Sequence, residues 1–356
     1  MPTISLYDPT AADDAWHRVH APGGYEWWYF DAEDTKNNRQ IVAIFLEGFI
    51  FHPGYLRAYH RYRRRPTSAI PPLPRDFACV YFVVYEAGKV AHQFMTQYPA
   101  RSFTAKPNEP WVAIGPNRFN VEESILKLQL QGTDWKLTAL GPKLLENQIL
   151  TASLSFDSAM QMSSHRREFV SKDISGGDHH WIVTNPLCSV RGRIDCAGRS
   201  IEFNGKGYHD HNYGTAPLGP GIKRWFWGRV LFDDSVVMFH IAQPVAHQLK
   251  DEIHLLLADS GGITDLPVSQ VHADWSARSS WMLPYPNSVD FPGKLQLWNA
   301  ALIDSSPFYL RLAYDVRFGD KTGKAFCEVA YPHRLRWPIL GRMIETSIDK
   351  RPLKGD

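Results

Sequence analysis

Short apolar or alternating segments recur along the chain, and residues typical of turns separate them. Glu86-Ala87-Gly88-Lys89 predicts a tight hairpin, and Gly132-Thr133-Asp134 predicts another turn. Regularly spaced strands with few helical periodicities favour antiparallel sandwiches or barrels, so the predicted class is all-β. The predicted strands cover residues 25–31, 40–51, 78–85, 90–98, 126–130, 136–140, 190–195, 200–204, 225–232, 236–242, 254–258, 309–318 and 325–331.

Three segments depart from this strand pattern. Residues 61–74 combine four arginines with four prolines, which predicts a surface loop. Its arginines are solvated or, as the less favoured alternative, face an anionic membrane surface or an anionic ligand. Residues 339–347 fit either a short helix or a last strand. Residues 215–221 are rich in proline and glycine, so we expect a domain boundary there, with domains at 1–216 and 217–356.

Composition agrees with a two-domain β protein. A chain of 356 residues exceeds the size at which one core usually keeps growing. The balance of 39 basic and 37 acidic residues gives no electrostatic reason to expect a nucleic-acid partner. The 12 Trp, 15 Tyr and 19 Phe fit either a β-rich core or a cavity lined with rings for an apolar ligand.

The four cysteines show no CxxC pairing, so free buried thiols in a reducing compartment are expected. No segment approaches the roughly 18 apolar residues of a membrane span, and the N-terminus lacks the pattern of a secretory signal. We therefore expect a cytoplasmic protein, with peripheral membrane contact as an option.

The densest candidate chemistry lies at residues 207–214, preceded by Asp178-His179-His180-Trp181. If residues 201–206 continue as a strand, Tyr208 and Asp210 share one face, and His209 and His211 share the other. A carboxyl group that an apolar pocket keeps neutral is a credible general acid. The alternative is structural: Asp210 caps a turn and the histidines satisfy backbone groups.

No metal and no cofactor are predicted. Adjacent histidines on a strand point to opposite faces, so at most one of each pair could reach a common ion. The chain also lacks a glycine-rich phosphate loop after a strand, a Gly-x-Ser-x-Gly elbow and a CxxC zinc pattern.

Two aromatic segments fit buried strands or, alternatively, the walls of a pocket. They are Glu26-Trp27-Trp28-Tyr29-Phe30 and Trp225-Phe226-Trp227-Gly228-Arg229. A buried Glu26 must be paired or protonated, so it either has a structural partner such as an arginine or is a second acid.

These motifs together resemble the carotenoid 1,2-hydratase (hydroxyneurosporene synthase) and AttH-like family. The resemblance covers residues 20–29, 179–181, 207–214 and 225–229, with Tyr213 a mild departure from the family's Asn-Trp-Gly. It implies two lipocalin-like β domains packed together. It also implies cofactor-free addition of water to a terminal isoprenoid double bond, although relatives include cyclases of polyenes.

The resemblance implies catalytic roles for four residues. Asp210 would protonate the alkene, His179 would orient or deprotonate water, and Trp181 and Tyr208, with Trp227, would stabilise a tertiary cation through their rings. The expected substrate-binding residues are Trp27, Tyr29, His209, His211, Tyr213, Trp225 and Trp227. The alternatives are a polyene cyclase and a lipocalin-like carrier without chemistry; the ligand is a lipophilic small molecule in each case.

Overall fold

The computed structural model describes residues 3–5, 11–138, 141–159, 167–171, 178–218, 221–245 and 250–350. The chain divides into two compact units: unit 1 comprises Met1–Leu218 and Trp337–Asp356, and unit 2 comprises Gly219–Arg336. The first change of unit lies two residues after the expected boundary at residue 216. The C-terminal residues from Trp337 group with unit 1, whereas the sequence-based division left them in the second domain.

Unit 1 is built mainly of strands. Its helices are α1 (Pro53–Arg64), α2 (Pro338–Thr346) and four 3-10 turns at Ala11–Asp14, Thr35–Asn37, Pro74–Phe77 and Ala100–Ser102. Its described strands are β1 (Thr3–Ser5), β2 (Tyr25–Asp34), β3 (Arg39–Glu47), β4 (Ala78–Glu86), β5 (Lys89–Tyr98), β6 (Phe103–Ala105), β7 (Trp111–Ile114), β8 (Asn117–Glu122), β9 (Ile125–Thr138), β10 (Gly141–Ser158), β11 (Arg167–Ser171), β12 (His179–Cys196), β13 (Arg199–Gly214) and, at the end of the chain, β25 (Asp349–Lys350).

The described strands of unit 1 form one 14-stranded sheet in the order β25-β5-β4-β3-β2-β13-β12-β10-β9-β8-β7-β6, with β1 and β11 attached through β12. The described pairs are antiparallel except β25 with β5. Although β5 and β9 are far apart in this order, the backbone N–H of Gln93 on β5 donates to Oδ1 of Asp134 on β9 over 2.9 Å. The sheet therefore curls back on itself.

The concave side of this curl holds the hydrophobic core of unit 1. Trp28 and Phe30 of β2, Phe45 of β3 and Phe82 of β4 are each fully buried there. Alternation along β13 directs Phe203 and the odd-numbered residues after it to the same side. The even-numbered residues of β13, including Asp210, consequently face away from this core.

Unit 2 has its own sheet and its own core. Its described strands are β14 (Ile222–Leu231), β15 (Val236–Pro244), β16 (Glu252–Asp259), β17 (Gly262–Asp265), β18 (His272–Ala273), β19 (Ala277–Arg278), β20 (Pro284–Tyr285), β21 (Val289–Phe291), β22 (Leu295–Ser305), β23 (Tyr309–Phe318) and β24 (Lys321–Ala330), followed by a 3-10 turn at Pro332–Arg336. The order of the larger sheet is β17-β16-β15-β14-β24-β23-β22-β21-β18, and β19 pairs with β20. The core of the unit is rich in Phe, Val and Leu, for example Phe239, Leu255 and Phe291. Together with unit 1, these sheets confirm the predicted all-β, lipocalin-like class.

The prediction of a loop over residues 61–74 was wrong in its first part, because α1 extends to Arg64. Pro53 occupies the first turn of α1, and Nδ1 of His52 accepts the backbone N–H of Tyr55 over 3.2 Å. The arginines lie in the last turn, where cations stabilise the helix dipole. The undecided segment at 339–347 is largely α2.

The turn predicted at residues 132–134 was also wrong, because β9 runs through it without interruption. A Cβ on Gly132 would lie 2.2 Å from the Phe94 ring, so the glycine allows a close approach between two strands. The hairpin predicted at Glu86–Lys89 is confirmed, with Ala87 and Gly88 at φ values of 50° and 71°.

The four cysteines are buried and free, as expected. Neither α1 nor α2, the α-helices of the described part of the chain, has the length and apolar composition that a membrane span requires.

Candidate active site

The candidate site lies on three neighbouring strands, β2, β13 and β12, on the side that faces away from the core of unit 1. Tyr29 of β2 lies directly opposite Asp210 of β13. One step along, Trp27 lies opposite Asn212, whose partner on β12 is Trp181. Strand register therefore gathers side chains from positions far apart in sequence onto one surface.

Asp210 accepts three hydrogen bonds on this surface. Its Oδ2 atom accepts the hydroxyl of Tyr208 over 2.7 Å and the indole N–H of Trp181 over 2.8 Å. Its Oδ1 atom accepts the side-chain amide of Asn212 over 2.8 Å. The predicted face shared by Tyr208 and Asp210 is confirmed, and Asp210 does not cap a turn.

The Asp210 carboxyl is buried, with 4% of the residue exposed. Burial raises its pKa from the ordinary 3.8 to about 7, because desolvation penalises the charged form more than the bonds from Tyr208 and Trp181 favour it. Burial also raises the pKa of the Tyr208 phenol well above its ordinary value, so this hydroxyl stays protonated and donates. The carboxyl can therefore hold a proton near neutral pH.

His179 lies on the same face, at the end of β12. Its Nδ1 atom is 2.8 Å from the hydroxyl of Tyr25, and its ring stacks on Trp27 with centroids 5.7 Å apart. Burial raises the pKa of Tyr25 well above its ordinary value, so the phenol stays protonated and is able to donate to Nδ1. Trp27 and His179 are partly exposed, whereas Tyr25 is buried, so this end of the face reaches solvent.

His209, His211 and Tyr213 project from the opposite face of β13. His209 lies 2.8 Å from the carbonyl oxygen of Tyr29 and 3.0 Å from Oδ2 of Asp14, and its ring stacks on Phe30. These contacts brace the strand from the core side. The structure does not bring these three expected substrate-binding residues together with Asp210, because residues of a strand alternate between its faces.

Glu26 also faces the core side, and its partners are histidines. Its Oε1 atom lies 2.9 Å from Nε2 of His211 and 3.1 Å from Nδ1 of His17. The arginine suggested as its partner is absent from these contacts.

Trp225 and Trp227, the remaining expected pocket residues, belong to unit 2. Both are on β14, where they alternate with Phe226 of the unit 2 core. Trp227 is largely buried and Trp225 is half-buried.

A comparison with protein families identifies the chain. The family model "Carotenoid hydratase CrtC" matches residues 44–354. The chain belongs to this carotenoid hydratase family. The match spans both units, whereas the motifs that first indicated the family end near residue 229.

Curated relatives of this family are distant but cover most of the chain. A protein named hydroxyneurosporene dehydrogenase from Chlorobaculum tepidum is 28% identical over 83% of this chain and 78% of its own length. A protein named acyclic carotenoid 1,2-hydratase from Thiocapsa roseopersicina is 22% identical over 91% of this chain and 72% of its own length. An AttH-type crystal structure from Nitrosomonas europaea superposes with a TM-score of 0.63 at 15% identity, covering 93% of this chain and 99% of that one. The last likeness concerns the fold.

Sequence reasoning missed two residues of this candidate site, Asn212 and Tyr25. Asn212 follows Tyr208 and Asp210 at the same two-residue spacing, so strand alternation alone could have placed it on their face. Tyr25 likewise alternates with Trp27 and Tyr29. Its contact with His179 joins residues 154 positions apart and could not be read from spacing.

Among the described residues, two groups of side chains could hold a metal ion: His17–Glu26–His211 and His92–Asp134–Cys196. Asp210 belongs to neither group. The first lies across the sheet from Asp210, and the second joins β5, β9 and the end of β12.

Proposed function

We propose that this chain is a hydratase that adds water to a carbon–carbon double bond of a lipophilic isoprenoid, with Asp210 as the general acid. The observation that carries the proposal is the buried Asp210 carboxyl, held by Tyr208, Trp181 and Asn212. Membership of the carotenoid hydratase family and the name of the Thiocapsa relative support the substrate class.

The hydrogen bonds indicate which oxygen carries the transferable proton. Oδ2 accepts from both Tyr208 and Trp181, so its two lone pairs are occupied. Oδ1 accepts from Asn212 and keeps one lone pair. The acid proton therefore belongs on Oδ1, and Oδ2 is the carbonyl oxygen of the protonated carboxyl group.

The reaction balances with one acid and one water molecule. The alkene π electrons take the proton from Oδ1 of Asp210, forming a C–H bond, a tertiary cation and a carboxylate. Water then forms the C–O bond and loses one proton, which returns to the carboxylate directly or through His179. The net change is alkene plus water to alcohol.

Trp181 and Tyr208 have a more specific role here than stabilising a cation through their ring faces. Their N–H and O–H groups hold Asp210 in one orientation, and a fixed proton donor lowers the entropic barrier to transfer. We assign the binding of the water to His179, which contacts Tyr25 and Trp27 at the partly exposed end of the face.

The decisive experiment incubates the purified protein with an acyclic carotenoid in water enriched in oxygen-18. Wild type should give an alcohol two mass units heavier than in ordinary water, a value fixed by the isotope and detected by mass spectrometry. Asp210→Asn should bind the carotenoid and give no product, whereas Glu202→Gln, an exposed carboxyl change on the same strand, should match wild type. Retained hydration by Asp210→Asn would remove the proposed acid, and binding without product by wild type would indicate a carrier.

We also propose that unit 1 contacts the surface of an anionic membrane, where a lipophilic substrate would reside. Arg61, Arg63 and Arg64 end α1 with exposed side chains, and Ile70 follows with 88% of its surface exposed. At the start of α2, Ile339 is 75% exposed. Exposed cationic and apolar groups on the same unit favour the interface of anionic lipids.

The hydroxyl of Tyr55 in α1 donates to the carbonyl of Gly24, directly before Tyr25 of the candidate site, over 2.5 Å. The basic helix is thus attached to the strand that supplies Tyr25, Trp27 and Tyr29.

Sedimentation with vesicles tests the membrane proposal. Binding to phosphatidylglycerol vesicles should exceed binding to phosphatidylcholine and weaken with salt. Replacing Arg61, Arg63 and Arg64 by glutamine should weaken it roughly 100-fold, at about 1 kcal/mol per arginine. Matched replacement of Arg118, Arg191 and Arg193 on the sheet should leave vesicle binding unchanged. Equal losses of affinity in both variants would mean that net charge, and not the end of α1, determines binding.

A further inference from the structure

A compact group of metal-ligand side chains lies on the core side of β2 and β13, across the sheet from Asp210. Oε1 of Glu26 is 2.9 Å from Nε2 of His211 and 3.1 Å from Nδ1 of His17. Glu26 and His211 are fully buried, and the His17 side chain is 22% exposed. Two imidazoles and one carboxylate thus converge, and of these three side chains His17 is the one with solvent exposure.

Both ring nitrogens of His211 face acceptors: Nδ1 lies 3.1 Å from the carbonyl oxygen of Asp13, and Nε2 lies 2.9 Å from Oε1 of Glu26. A neutral imidazole carries one N–H, so with that proton on Nδ1 the Nε2 lone pair points at the Glu26 carboxylate. Either a second proton or a metal ion must lie between them.

The Glu26 carboxylate is satisfied on one oxygen only, because Oε1 also accepts the backbone N–H of His17 over 2.8 Å. Its Oε2 atom is buried and has no hydrogen-bond partner among the described residues. Its strand neighbour on β3 is Glu47, whose Oε2 atom accepts the indole N–H of Trp16 over 2.6 Å and whose Oε1 atom lies 4.0 Å from Nε of Arg75. Glu47 thus has partners of its own, whereas the buried Oε2 of Glu26 lacks a donor and favours a cation at this place.

We propose that His17, Glu26 and His211 bind one divalent first-row metal ion of the zinc type. A tetrahedral ion about 2.1 Å from each donor separates the donors by roughly 3.4 Å. The two distances to Oε1 of Glu26, 2.9 Å and 3.1 Å, are slightly shorter than this, and the three donor atoms lie within 4.8 Å of one another. With the ring proton on Nδ1, His211 would donate to the Asp13 carbonyl while Nε2 binds the ion, as metal-binding histidines usually do with the nitrogen that faces away from the metal. A fourth ligand, water, can enter on the exposed side of His17.

The other donor group, His92–Asp134–Cys196, has no such imbalance. Oδ1 of Asp134 accepts the backbone N–H of Gln93, and its Oδ2 faces a possible donor in both His92 and Cys196. These hydrogen bonds satisfy the carboxylate without an ion.

The test is a calorimetric titration of ZnCl₂ into the full chain after dialysis against EDTA. We expect one zinc ion per chain and an affinity that falls about tenfold or more in His17→Ala. His180→Ala is the matched control, because His17 and His180 both stack on Tyr213, with centroids 4.0 Å and 4.1 Å away, and only His17 contacts Glu26. Its zinc affinity should equal that of wild type.

Two further readouts keep the proposal falsifiable if a variant folds poorly. Co²⁺ bound to wild type should show visible bands of a four- or five-coordinate site, and Glu26→Gln should weaken or abolish them. No binding by wild type would mean that a proton bridges His211 and Glu26, which overturns the proposal. Equal zinc affinities for His17→Ala and His180→Ala would overturn it too. Neither result bears on hydration by Asp210.

Discussion

Trp181 donates its indole N–H to Asp210 from the neighbouring strand, over 2.8 Å, although the two residues are 29 positions apart in sequence. The bond fixes the carboxyl from one side while Tyr208 fixes the same oxygen from its own strand. Because two donors orient this acid, removing either donor should change both the pKa of Asp210 and the rate of turnover.

Tyr208→Phe should shift the pH dependence of turnover. The hydroxyl lowers the pKa of Asp210, so its loss raises that pKa above about 7 and keeps the acid form to higher pH. The alkaline limb of the pH–rate profile moves to higher pH, while the turnover rate falls about tenfold because the carboxyl is less well oriented. Tyr314→Phe, which removes a hydroxyl bonded to the Pro286 carbonyl in unit 2, is the control and should leave the limb in place.

Asp210→Asn should change the pH dependence of stability. The pKa of Asp210 is raised in the folded state, so between pH 4 and 7 the native protein holds a proton that the unfolded chain has lost. This bound proton stabilises the folded state. The stabilisation is fully present below pH 4 and is lost as the pH rises through 7. The rise from 3.8 to about 7 corresponds to roughly 4 kcal/mol.

Urea unfolding at several pH values, in EDTA, measures this effect. The free energy of unfolding of wild type should decline more than that of Asp210→Asn between pH 4 and 8. Parallel curves for the two proteins would show that burial does not perturb this carboxyl.

His179→Ala should lower turnover about 100-fold, the range for losing a group that handles a proton. It also leaves the buried Tyr25 hydroxyl without its 2.8 Å partner, at a cost of about 1–3 kcal/mol. Adjacent His180→Ala loses a ring contact with Tyr213 on the other face and should retain turnover. Steady-state rates with melting temperatures separate the two effects, and equal rates for the two variants would exclude His179 from the reaction.

Gly132→Ala should destabilise unit 1 by about 1–3 kcal/mol, because the added methyl group overlaps the Phe94 ring where the sheet curls. Chemical denaturation measures the loss. Gly261→Ala, at an exposed turn in unit 2, should change stability by less than about 0.5 kcal/mol. If Gly132→Ala is equally harmless, the contact between β5 and β9 is looser than the structure indicates.

Local patterns were sufficient for part of the fold. Two-residue turns such as Ala87-Gly88 depend on the backbone preferences of neighbouring residues, so the hairpin they form could be predicted. Gly132 carries the same local signal, but it lies within a strand, where the absence of a side chain allows the ring of Phe94, distant in sequence, to pack against the backbone. The helix α1 was missed because it is polar overall, with Pro53 and Tyr55 as its buried residues, and because its arginines favoured the interpretation as a solvated loop.

The sequence by itself determined the β class and the alternation that places Tyr208 and Asp210 on one face of β13. It also determined the motifs that identify the family. Only the tertiary structure decided that Trp181 and Asn212 donate to Asp210, that His179 pairs with Tyr25, and that His211 faces Glu26 and His17. The reason is physical: spacing along one strand sets which face a side chain takes, but its partners depend on the register between strands and on burial, and these arise only when the sheet closes.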